Sequence, residues 1–182
     1  MKNSAQQRMR SYLTSAREQI DKERDPAVKV VLRKILEDVQ ALLKRADYHG
    51  HYFERCTKSP LRMCDADGWF RCEGAFDEDG CPRQHIINPY ASRGYRHMFC
   101  LWNLDHIIEK SREVVPALIE AAKVIPKGQQ LNAAELHRLL FTRENLKLVQ
   151  IGCHKKTARL EHTVDQKKFY VAVSGGCGDG VK

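Results

Sequence analysis

Cys72, Cys81 and His85 follow one another with eight and three residues between them. Two thiols and an imidazole so spaced are three-quarters of a tetrahedral zinc site. A fourth soft ligand is wanted, and Cys153 is the candidate. The spacing matches no common finger, so another reading stays open, in which these are buried thiols beside a surface histidine. Zinc gains support from the stretch Tyr48 to Tyr95, where apolar periodicity fails and Gly, Pro, Asp, Cys and His dominate. That stretch is too long for a plain loop in a compact domain and too poor in apolar residues to hold itself together without a staple. Within it His49 and His51 read as turn residues beside Gly50, and Cys56 and Cys64 have no evident partner. His97 and His137 read as isolated surface residues.

Asp105 and His106 stand where a strand gives way to a helix, so both side chains can face a cleft. Alone, the pair reads equally as a solvated helix start with Asp105 as its cap. A second cluster, Cys153-His154-Lys155-Lys156, changes the balance. Phosphodiester cleavage needs a base for water, a divalent ion held by hard or imidazole groups, and cations for the developing phosphate charge; together the two clusters contain all three. The chain carries 31 Lys and Arg against 23 Asp and Glu, a net charge of +8, and that field favours a polyanionic partner such as nucleic acid or an acidic membrane surface.

The elements that must position these residues are mostly helical. Met9, Tyr12, Leu13 and Ile20 lay one stripe on a helix from about Ser4 to Glu23. Asp25 and Pro26 open a second helix, with a wide apolar stripe from Val28 to Leu43 that suits packing on two sides and a homodimer interface. Further on, Tyr95 to Leu104 reads as a strand, Ile107 to Val124 as a helix kinked at Pro116, Asn132 to Phe141 as a short capped helix, and Leu146 to Gly152 as a strand. The tail after Tyr170 reads as disordered. The most apolar run, Val114 to Ile125, is broken by Glu120 and Lys123 and is too short to span a membrane. MKNSAQQRMR has no apolar leader, so an unsecreted chain with reduced cysteines is expected, in the nucleus and cytoplasm.

Two runs, NPYASRGYRHMFCLWNLDHIIEK (Asn88 to Lys110) and LLFTRENLKLVQIGCHKKT (Leu139 to Thr157), closely resemble the nuclease region of the caspase-activated DNase family, the apoptotic DNA-fragmentation nucleases. The likeness extends to RMRSYL (Arg8 to Leu13) and CDADGWFRCEGAFDEDGC (Cys64 to Cys81), and spans nearly all the chain up to Tyr170. The resemblance implies an α+β fold: a helical dimerisation region over residues 1–55, then a zinc-stapled ββα-metal, or His-Me finger, nuclease domain over 56–170, then the tail, 171–182. It implies His106 as general base, Asp105 and His154 as ligands of a catalytic magnesium, Lys156 as a cleft lysine, and Cys72, Cys81, His85 and Cys153 as ligands of a structural zinc.

The same resemblance implies a homodimer with a basic cleft for double-stranded DNA, regulated by an inhibitor and chaperone subunit that docks on an N-terminal interaction domain. Neither that domain nor the family's long basic C-terminal tail is among these residues. Gln150 stands where the family has histidine, and Ala158 and Arg159 stand where a second histidine is expected, with His162 nearby but out of register. The leading expectation is a magnesium-dependent endonuclease. The alternative is a catalytically weakened, truncated binding or dimerisation partner of an active homologue, and a third reading is a zinc-stapled nucleic-acid-binding module unrelated to nucleases.

Overall fold

Asp25 caps helix α2 (Pro26–Arg45), its carboxylate accepting from the N–H groups of Ala27 and Val28, with Pro26 in the first turn where a missing N–H costs nothing. Helix α1 (Lys2–Ile20) runs before it and buries Ala5, Met9, Leu13, Ala16 and Ile20. These positions come from a computed structural model, which describes residues 1–58, 60–159 and 161–173. After a tight 3-10 segment, Asp47–Phe53, the chain forms β1 (Phe70–Arg71), β2 (Ile86–Ile87), α3 (Arg93–Met98), β3 (Trp102–His106), α4 (Val115–Lys123), β4 (Gln129–Leu131), α5 (Ala133–Phe141), β5 (Leu146–Gln150) and β6 (Tyr170–Ala172). The strands make three two-stranded antiparallel sheets, β1 with β2, β3 with β5, and β4 with β6. The expected α+β class is found, helices first and a small-sheet region stapled at a Cys/His cluster after them. Among the described residues, no helix is long and apolar enough to cross a membrane.

The wide apolar stripe of α2 is mostly consumed inside the chain. Val28, Leu32, Ile35, Leu36, Val39 and Leu43 are buried, packed in one cluster with residues of α1, α4 and α5. Leu36, expected at a dimer seam, is 2% exposed, whereas Val30 on the outer side is 69% exposed.

Four further expectations are corrected. Tyr95 to Leu104 is not one strand: Ser92 caps α3 by accepting from the Tyr95 N–H, and pairing begins only at Trp102, with Asp105 and His106 at the strand end where they were expected. The helix expected from Ile107 begins later, with a π-turn, Lys110–Val114. There the Val114 N–H reaches back five residues to the Glu109 carbonyl, and Pro116 falls in the first turn of α4, where it starts the helix rather than kinking it. The strand expected to Gly152 ends at Gln150, and Gly152 lies in a 3-10 turn, Ile151–Cys153. Past Tyr170, Val171 and Ala172 are paired in β6, while 174–182 lie outside the described residues.

Candidate active site and metal centre

Three elements converge on the cysteines. Cys72 follows β1, His85 precedes β2, and Cys153 ends the 3-10 turn after β5. The Cys72 N–H donates to the His85 carbonyl at 2.9 Å and the Glu73 N–H to the Leu148 carbonyl at 2.8 Å, which ties the first arm to both the second and the third. Cys81 arrives on a loop that crosses Gly74 closely: Gly74 has φ +75°, and a Cβ there would sit 2.3 Å from the Gly80 carbonyl oxygen, so only glycine fits.

The donor atoms of Cys72, Cys81, His85 and Cys153 all lie within 4.8 Å of one another. Cys81 Sγ is 3.4 Å from His85 Nδ1 and 3.6 Å from Cys153 Sγ, and Cys153 Sγ is 3.3 Å from His85 Nδ1. A tetrahedron with bonds of about 2.3 Å has edges of about 3.8 Å, so these three separations need only a slight expansion to match a three-sulfur, one-nitrogen zinc cage. Although burial opposes it, hydrogen bonds from the His85 and Arg83 backbones and from Cys153 bring the Cys81 thiol down to about 6, which suits a metal-binding thiolate. Burial and the neighbouring Cys81 and Cys72 push Cys153 up to about 12. The four residues singled out from spacing are thus brought together, and they fit zinc.

Directly beyond Cys153, His154 Nε2 lies 3.3 Å from Asp105 Oδ1. Two ligands at right angles on a divalent ion with bonds of about 2.1 Å stand about 3.0 Å apart, so this carboxylate and imidazole also fit a shared hard cation. Asp105 is paired with Lys147 across β3 and β5 and is buried. His106, next along the strand, points to different surroundings, as the alternation of a strand dictates. Its ring sits edge-on to Tyr12 at 4.9 Å, and its Nε2 is 3.0 Å from the Leu140 carbonyl oxygen. A carbonyl can only accept, so Nε2 carries the proton and Nδ1 is the basic nitrogen. Burial, with Lys110 and Arg159 nearby, pushes His106 down to about 3, well below the ordinary imidazole value. Lys156 is exposed and makes no hydrogen bond or ion pair among the described residues, while Lys155 is held by Asp77 at 2.9 Å and Glu78 at 3.0 Å.

Several positioning residues escape a reading of spacing. Tyr12 donates its hydroxyl to the Leu104 carbonyl, and Arg8 donates to the carbonyls of Trp102 and Phe99, so α1 grips the back of β3. Asn145, 2% exposed, accepts from the Ile108 N–H at 2.7 Å and donates to the carbonyls of Ile108 and Leu139 at 3.1 and 2.7 Å, which fixes the bend just after His106. Arg159 donates from one nitrogen to both oxygens of Asp105, at 2.9 and 3.0 Å, and lies over the Phe76 ring at 4.3 Å. His162 meets the same ring edge-on at 5.5 Å. Tyr12 was legible only as part of the apolar stripe of α1 and Arg159 only as a departure from an expected histidine; Asn145 left no signal.

His49 and His137, read as a turn residue and an isolated surface residue, face each other with their Nε2 atoms 3.2 Å apart. His49 is buried in a turn of positive φ, His137 is half-buried, and burial brings His49 down to about 4.

The model of the DNA fragmentation factor 40 kDa family matches residues 1–171. DNA fragmentation factor subunit beta of Rattus norvegicus is 41% identical over 175 residues, covering 96% of this chain and 49% of that protein. Its counterpart in Bos taurus is 44% identical over 170 residues, covering 93% and 49%. The crystal structure of caspase-activated DNase superposes with a TM-score of 0.87 at 40% identity, over 96% of this chain and 69% of that one. The chain spans about half the length of the relatives it matches, and with one fold and one sequence pattern over almost its whole length, it belongs to the DNA fragmentation factor 40 kDa family.

Proposed function

We propose that this chain is a magnesium-dependent, zinc-stapled endonuclease that cleaves double-stranded DNA, the chemistry of apoptotic chromatin fragmentation. The observation that carries this reading is the Asp105 to His154 separation of 3.3 Å on the strand that also bears His106. Kinship with caspase-activated DNase supports it. His106 is the general base: Leu140 holds the proton on Nε2, so Nδ1 takes the proton of the water that attacks phosphorus. A magnesium ion held by Asp105 and His154 would stabilise the charge that develops on the phosphate. Lys156, with no protein partner among the described residues, is available to a phosphate oxygen. Zinc on Cys72, Cys81, His85 and Cys153 would hold the peptide before His154 in place, one residue from the chemistry and without touching substrate.

The net charge of +8 supports backbone contacts as the source of DNA affinity. The division into a helical dimerisation region (1–55), nuclease domain (56–170) and tail (171–182), the homodimer, an inhibitor and chaperone subunit, and action in nucleus and cytoplasm remain part of the same proposal. A second reading, the catalytically weakened partner, draws on Arg159 over the Asp105 carboxylate and on Gln150 in place of histidine. Conversion of supercoiled plasmid to linear DNA separates the two. Cleavage that needs magnesium, stops with chelator and falls on the order of 10²–10⁴-fold in His106→Ala supports the enzyme. No cleavage above the His106→Ala background supports the partner.

A further inference from the structure

The Arg159 side chain is buried, 5% exposed, and one of its nitrogens spans both oxygens of Asp105. It is held on three sides, by Asp105, by the Ile107 carbonyl at 3.3 Å and by the Phe76 ring at 4.3 Å, while its Nε has no partner among the described residues. A guanidinium so fixed is a permanent cation on the carboxylate that, with His154 Nε2, would form the divalent-ion pair. We propose that Arg159 competes with the divalent cation for Asp105 and thereby sets the ion concentration at which this site fills. The inference rests on the assignment of Asp105 and His154 as metal ligands.

Two physical consequences follow. First, the buried Asp105 has a countercharge of its own, so folding does not depend on the ion. Second, the ion must either share Asp105 with a fixed positive charge or displace it. A unit charge about 5 Å from a divalent ion weakens binding on the order of tenfold even at the dielectric of water, and more in a half-buried site. Arginine serves this role because its charge cannot be lost at any working pH and its planar fork stacks on Phe76.

The test is direct Mn²⁺ binding to the zinc-loaded chain, read as free Mn²⁺ by electron paramagnetic resonance; thiolate-rich sites bind this hard ion poorly, so the cysteine cage does not compete. Arg159→Gln should tighten Mn²⁺ binding about tenfold or more, and Arg159→Lys, which keeps the charge, should stay near the parent. Added Mg²⁺ should raise the melting temperature of Arg159→Gln distinctly more than that of the parent. Equal affinity in Arg159→Gln and the parent, with binding lost in Asp105→Asn, overturns the competition while leaving the ligand assignment standing. Binding unchanged in Asp105→Asn overturns the ligand assignment, and the competition with it. If Arg159→Gln does not fold, the parent protein still decides: the Arg159 guanidinium resonances, assigned by their absence from Arg159→Lys, should move as Mg²⁺ saturates the site, and a static signal overturns the proposal.

Discussion

Asn145→Ala should be among the most damaging single substitutions near the site, although Asn145 touches neither proposed metal. Its side chain makes three hydrogen bonds, at 2.7, 3.1 and 2.7 Å, to groups in and around the bend at Ile107 and Ile108, and it is 2% exposed, so water cannot replace them. Truncation leaves the Ile108 N–H and the Leu139 and Ile108 carbonyls short of a partner. At about 1 kcal/mol for each lost bond, with a further penalty for the orphaned donor, the loss is about 3–4 kcal/mol. For a chain of this size that is a fall in melting temperature of about 6–16 °C. Circular-dichroism melts at fixed zinc, with urea titrations at 25 °C, measure it. Asn145→Asp keeps the acceptor but turns a charge on two carbonyls, and should cost at least as much. A loss under about 1 kcal/mol with the hydrogen bonds removed would refute the reasoning, because it would mean that the bend is held by something else.

Other outcomes follow from the same geometry. With His106 down at about 3, it is neutral at every working pH, so cleavage at saturating magnesium should show no rise through pH 6–7 that His106 accounts for; a limb near 6.5 that vanishes in His106→Ala would contradict this. Stability should move the other way from a surface histidine's indifference. Unfolded imidazoles protonate near 6.5 while His106 and His49, at about 3 and about 4, stay neutral when folded, so acid favours the unfolded chain and the melting temperature should fall from pH 7 to pH 4.5. Elemental analysis should find about one zinc per chain, lost together with several degrees of melting temperature in Cys81→Ala; a variant that keeps both would sink the cage. Lys156→Ala should lower the salt slope of DNA binding by about one, whereas Lys155→Ala, whose ammonium is already committed to Asp77 and Glu78, should change it less.

Local signals carried much of this. The Asp25-Pro26 start of α2 and the Asn132 start of α5 were legible because a cap is a contact between near neighbours, and both side chains accept the N–H groups anticipated. The gathering of Cys72, Cys81 and His85 into one cluster was legible because soft ligands in an irregular stretch have few other uses. The Tyr95 to Leu104 segment misled because Met98 to Trp102 is a continuous apolar run of strand length, while the decisive contact, Ser92 capping α3, lies before the run. The fate of the α2 stripe, inside the chain rather than at a seam, depends on α4 and α5 far along the sequence. The contacts of Arg159 and Asn145 were illegible for a related reason: a buried side chain that serves a distant carboxylate or bend has no periodicity to betray it, and only the folded chain brings Arg159 across 54 residues to Asp105.

The claim at the centre of this account is that Asp105 and His154 hold a divalent ion beside His106, with zinc kept apart in the cysteine cage. Anomalous diffraction from crystals of the chain soaked in Mn²⁺, collected at wavelengths that separate manganese from zinc, addresses it directly. The account predicts a manganese peak within about 2.3 Å of both Asp105 and His154, and a zinc peak among Cys72, Cys81, His85 and Cys153. Manganese bound elsewhere, or Asp105 still clasped by Arg159 at saturating Mn²⁺ with no peak beside it, would contradict it.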